Sequence, residues 1–204
     1  MKQYSLLLVV ILSAIEMSAQ NARSFSLNLY GGYNFSDSLD YDGYSASVED
    51  AFQYGAGFEY FFSTNNSVEI KYLRADSKMP FYDRFGVQLN NGDDKGALNY
   101  ILLDGTHYFD TNSNLLPYLG AGAGVGIIET PQSGNGTYFA WDIKAGVKIK
   151  TASNVSVNLN AYLESMAAAV GNSYYWTYFG TVGVEDYVST FQFGLGAVVS
   201  FNFK

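Results

Sequence analysis

A single histidine and a scatter of carboxylates are the groups in this 204-residue sequence with a claim to catalysis or metal binding, because cysteine is absent and thiol chemistry with it. His107 lies in Gly105-Thr106-His107-Tyr108-Phe109. A hydroxyl nucleophile needs its base within hydrogen-bond reach, and Ser113 is the one serine nearby in sequence, so packing is the stronger reading of His107 and no catalytic residue is assigned. Asp37, Asp40, Asp42, Glu49 and Asp50, then Asp93 and Asp94, offer oxygen ligands of the kind hard cations take. Their order matches no calcium loop, so they read as solvated charge, with neither metal nor cofactor expected. A third set, Glu59, Glu69, Lys71, Asp142, Lys144, Lys148 and Glu164, alternates with apolar residues. These seven groups share one face of their elements, and if that face is enclosed the two signs should pair, since a buried unpaired charge is costly.

The elements that position them follow from composition and period. Residues 1–19 place Lys2 before an almost unbroken apolar run from Leu6 to Ile15 and end in Met17-Ser18-Ala19, the order of a secretory signal peptide. Cleavage is expected after Ala19, with Ala22 as the second site. The apolar run is about half the roughly 20 residues of a spanning helix, and nothing after it is longer. Residues 20–204 therefore read as one domain. Tyr 18, Phe 15 and Gly 21 against Pro 3 favour strands and turns. The net charge of -8 argues against nucleic acid as a partner.

With a period of two, about eight strands appear, a count good to two: 25–35, 52–62, 68–72, 98–109, 118–127, 139–149, 155–164 and 191–203. The fourth is irregular, with apolar residues on both parities from Tyr100 to Leu103, which a bulge would explain. The fifth sets Leu119, Ala121, Ala123, Val125 and Ile127 against a face of glycines. Segment 163–170 reads as a frayed strand end rather than a helical turn. Connections alternate in length. Ser63 to Asn66, Asp110 to Asn114 and Thr151 to Asn154 are tight turns, whereas Ser36 to Asp50, Ser77 to Lys95, Glu129 to Thr137 and about Ala167 to Tyr187 are long. The expected fold is all-β: a closed up-and-down antiparallel transmembrane barrel, with short periplasmic turns and long external loops.

Orientation follows from the two faces. Glycines and charges of both signs suit the interior of an eight-stranded barrel, which side chains just fill. Aromatic residues gather at strand ends, among them Phe35, Phe61, Phe62, Tyr72, Tyr108, Phe109, Tyr118, Trp141, Phe201 and Phe203, as interfacial girdles do. The last strand is apolar at every second position to Phe203. On the signal-like start, Pro117-Tyr118-Leu119-Gly120-Ala121-Gly122 and that final strand, the mature chain resembles the small outer-membrane barrel family, the OmpA/OmpX-like single-barrel proteins. The resemblance implies the outer membrane of a Gram-negative cell, a lipid surround and contact with the barrel-assembly machinery. Phe191, Phe193, Phe201 and Phe203 would then carry the assembly signal, shifted by one residue because Lys204 follows. A monomer with a structural or surface-interaction role and a mostly plugged lumen is expected. Long loops, with Tyr174, Tyr175, Trp176, Tyr178 and Phe179 in the last, would meet a surface ligand or protein. The rivals are a narrow or gated pore, a soluble exported lipocalin-like ligand carrier, and a lipid hydrolase or acyltransferase that would need His107.

Overall fold

A computed structural model describes residues 23–41, 44–89, 94–130, 134–167, 175–177, 180–182 and 189–203; the expected signal peptide lies outside them. Eight strands close on themselves: β1 (Ser24–Asn34), β4 (Ala51–Phe61), β5 (Asn66–Lys78), β7 (Lys95–Tyr108), β8 (Leu115–Thr130), β9 (Gly134–Lys150), β10 (Val155–Ala167) and β13 (Ser189–Phe203). Each pairs antiparallel with its neighbours, and β1 completes the ring by pairing with both β4 and β13. A closed ring leaves no backbone edge unpaired, the condition for placing strands in lipid. Connecting segments add β2 (Asp37–Tyr41), β3 (Tyr44–Val48) and β6 (Phe81–Tyr82) as one three-stranded sheet, and β11 (Tyr175–Thr177) with β12 (Gly180–Val182) as a hairpin.

The eight expected strands are all present, and several are longer than apolar alternation marks. β5 continues from Tyr72 to Lys78 with Arg74 and Asp76 on its outer face, and β8 and β9 stay paired to Thr130 and Gly134. The expected long connection at 129–137 is therefore mostly ladder. Apolar alternation marks a strand only where one face meets lipid. Beyond that level the same hydrogen bonding continues with polar residues outside, and the pattern fades. Of segment 163–170, residues 163–167 are strand, and 168–170 lie outside the described residues.

The short connections, at 62–65, 109–114 and 151–154, share one end of the barrel with Ser24 and Phe203. Two of them reuse one device: the Leu115 amide donates to Ser113 Oγ at 3.1 Å, and the Val155 amide to Ser153 Oγ at 3.2 Å. Asn112, with φ 53°, takes the left-handed position that asparagine tolerates.

The wall is greasy outside. Phe58, Ile70, Leu103, Leu119, Leu159, Phe193 and Leu195 are exposed on it, whereas Asn28, Glu69, Asp104, Lys148 and Ser200 are buried inside. This is inverted relative to a soluble ligand-carrying barrel, and the lipocalin-like reading is set aside. Rings cluster toward both ends of the wall: Phe35 stacks on Phe193 at 5.7 Å and Trp141 meets Phe191 at 6.1 Å, while Phe25 lies 4.9 Å from Tyr60. Phe61, Tyr108 and Tyr118, expected in the girdle, instead point inward and are buried.

The fourth expected strand contains no bulge. β7 stays in unbroken register with β5 and β8 along its length. Its second apolar parity exists because Leu98, Tyr100 and Leu102 face the lumen, where they pack with Leu73, Met79, Ala140 and Met166. The interior is thus not uniformly polar. An apolar cluster fills the loop end, Phe61, Tyr108, Leu116 and Tyr118 fill the turn end, and charges lie between.

Candidate functional site

Among the described residues, charge is gathered out of water in the lumen, and the geometry there starts from glycine. On β8, Gly122 is flanked in register by Asp104 of β7 and Asp142 of β9. A Cβ at Gly122 would lie 2.0 Å from Asp104 Oδ1 and 2.6 Å from Asp142 Oδ1. Its absence lets both carboxylates lean across β8 toward the same cation.

That cation is Lys71 of β5. Its Nζ meets Asp104 Oδ2 at 2.8 Å and Asp142 Oδ2 at 2.6 Å. Lys144 of β9 reaches back to Asp104 Oδ2 at 2.7 Å and Glu69 Oε2 at 3.2 Å. Glu69 Oε1 accepts two further bonds, from Asn28 Nδ2 at 2.7 Å and the Tyr30 hydroxyl at 2.5 Å. Four strands are tied across the barrel by this lattice, and every charged member is at most 7% exposed.

The remaining expected members make no ion pair with it, although Glu59 shares the Asn28 amide with Glu69. Glu59 is held by neutral donors, Ser67 at 2.5 Å, Tyr108 at 2.7 Å and Asn28 at 3.2 Å. Glu164 accepts from Gln53 Nε2 at 2.7 Å. Lys148 is fully buried, and its Nζ makes no hydrogen bond or ion pair among the described residues. It lies instead 4.8 Å from the Phe61 ring and 5.2 Å from the Tyr108 ring, where a cation is drawn to the negative ring faces. The structure thus brings Glu69, Lys71, Asp142 and Lys144 into one network and leaves Glu59, Lys148 and Glu164 beside it. Asp104, its most shared carboxylate, was missed. The available signal was its parity with Leu98, Tyr100 and Leu102, which the two-sided apolar pattern of that strand obscured.

Little space is left. A cavity of about 20 Å³ is bounded by Gln53, Lys71, Asp142, Asn160 and Glu164, room for about one water molecule. The charged side chains tie the wall together across the lumen. His107 is on the outer face near the turn end, where its Nδ1 is 2.7 Å from Asn66 Oδ1 and its ring abuts Phe109 at 4.8 Å. Ser113 Oγ instead engages Thr111 and Leu115.

Phe191, Phe193, Phe201 and Phe203 all point outward from β13, the first pair near the loop end and the second at the turn end. Of the loop residues expected to make external contact, Tyr174, Tyr178 and Phe179 lie outside the described residues. Tyr175 and Trp176 are placed by backbone only, in β11. Asp42 and Asp93 are also outside the described residues.

A closed ring of antiparallel strands, apolar outside and locked by charge within, is the construction of a transmembrane β-barrel. Residues 5–201 match the family model described as outer membrane protein beta-barrel domain. The chain belongs to that family, and it is an outer-membrane protein of the Gram-negative envelope. No curated protein matches as a sequence relative. Solved structures share the fold: Neisserial surface protein A at 17% identity and TM-score 0.61, covering 87% of this chain and 96% of that one. OprG from Pseudomonas aeruginosa follows at 13% and 0.59, with 91% and 99% covered. The outer membrane protein AlkL, at 12% and 0.50, covers 93% and 94%.

Proposed function

We propose that this barrel is a non-catalytic, monomeric scaffold with a sealed lumen, which holds its long loops at the cell surface to meet a ligand or protein partner. The observation that carries this reading is the layering of the interior. Apolar clusters at both ends enclose an ion-paired middle with room for about one water. Water-filled pores are expected from about 16 strands, and here the eight-stranded lumen is occupied by its own side chains. Purified protein in a planar bilayer should show no steady conductance. Reproducible channels would instead favour the narrow or gated pore.

The end bearing the short turns faces the periplasm in this reading, as the division of connection lengths suggests. Because the chain has no cysteine, single introduced cysteines report on this cleanly. Phe85→Cys should react with a membrane-impermeant maleimide on intact cells, and Ala152→Cys should react only after the outer membrane is breached. The reverse pattern would invert the assignment. Residues 1–19 serve as the export signal, and the outward phenylalanines of β13 as the contact for the assembly machinery.

A further inference from the structure

Among the described residues, exposed large apolar side chains sit on the barrel strands or next to their ends, with one exception. Phe85, Val87 and Leu89, 80%, 57% and 54% exposed, lie in the connection between β5 and β7. They are displayed on a built hairpin. The Asp83 amide donates to Val87 O at 3.0 Å, Asp83 Oδ1 accepts from the Phe85 amide at 2.8 Å and the Val87 amide at 2.9 Å, and Tyr82 bridges to Gln88. Through β6 the hairpin is joined to β3. Lipid covers the apolar wall of the barrel, but this tip stands on a loop-end connection, and a preformed tip loses little freedom when a partner covers it.

Charge selects the partner. The four connections that join strands at this end, 35–50, 77–95, 129–137 and 167–188, hold eleven carboxylates in sequence against Lys78, Arg84 and Lys95. Their net charge of -8 equals that of the whole chain, so the connections that include the apolar tip carry the protein's net acidity. The Arg84 guanidinium lies 5.3 Å from the Phe85 ring, next to the tip. A phosphorylated lipid, an acidic polysaccharide or a nucleic acid would be repelled by such a field, whereas a basic surface is steered toward it.

We propose that the 82–89 hairpin is the apolar anchor of a docking surface for a cationic, amphipathic polypeptide, one whose lysines or arginines alternate with apolar side chains. The acidic loops attract the charges, and Phe85, Val87 and Leu89 cover the apolar residues. This rests on the scaffold reading above and names its partner class.

The test uses the full barrel in discs of zwitterionic lipid and a fluorescent peptide of alternating lysine and leucine, with empty discs as background. Binding above background is expected, falling about tenfold in the Phe85→Ser, Val87→Ser, Leu89→Ser triple variant, as for loss of central interface anchors. It should also weaken at about 1 M salt, where the screening length is about 3 Å. An unchanged urea midpoint shows that the variant barrel is folded. Equal binding by wild type and triple variant overturns the proposal, as does equal binding of an alternating glutamate and leucine peptide, or no binding above background. Steady conductance would remove the scaffold reading whatever the peptide does, while a silent barrel that ignores the peptide removes only this inference.

Discussion

Replacing Lys71 by methionine is expected to destabilise the barrel by about 3–5 kcal/mol, the range for removing one partner from a buried ionic group. Lys71 is 3% exposed and is the cation shared by Asp104 and Asp142. Methionine keeps the bulk of the side chain and removes the charge, so Asp142 loses its ion pair and Asp104 keeps only Lys144. The measurement is reversible urea unfolding in lipid vesicles, followed by tryptophan fluorescence. Adding Asp142→Asn to Lys71→Met should recover about 1 kcal/mol or more, because directly paired groups are not additive. A single variant within about 1 kcal/mol of wild type, or strict additivity in the pair, would show that the network is solvated and that the interior is looser than its geometry indicates.

Tyr162→Ala should cost about as much, roughly 3–5 kcal/mol by analogy with other large-to-small changes in packed interiors. Its ring lies over the seam where the first and last strands meet. A Cβ would come within 2.3 Å of Tyr162 at Gly194 and within 2.6 Å of its hydroxyl at Gly32. Those glycines are therefore the surface on which the ring rests, and the hydroxyl goes on to Asn34 Oδ1 at 2.5 Å. One side chain of β10 thus crosses β13 and reaches β1. Tyr162→Phe keeps the ring and loses only that hydrogen bond, so it should cost about 1–3 kcal/mol. Gly194→Val should be destabilising alone, by about 1–3 kcal/mol, and less so in the Tyr162→Ala background, where the ring it displaces is gone. Equal costs for Tyr162→Ala and Tyr162→Phe would mean that the hydroxyl, and not the ring, secures the seam.

Strand number, strand order around an up-and-down ring and the division between short and long connections were legible because each rests on a local signal. Val155, Val157 and Leu159 against Ser156 and Asn158 state a strand and its two faces, and Thr151-Ala152-Ser153-Asn154 states a turn. Orientation was legible from the company each face keeps, glycine and charge on one side and bulky apolar residues on the other. The apolar lumen clusters were not. Leu98, Tyr100 and Leu102 look like lipid-facing residues in a list, and only the tight register of β7 against the glycine face of β8 shows that they turn inward.

For every barrel strand but β7, the sequence by itself determined which residues share a face and which face meets lipid, because period two and the absence of water in a bilayer leave a strand no other arrangement. Which opposite charges touch was decided by tertiary structure. Shear and tilt of the closed ring bring Lys71 to Asp104 and Asp142 rather than to Glu59 or Glu164, and put Lys148 against rings instead of a carboxylate. Those distances are set by strands far apart in the chain, and no local pattern encodes them.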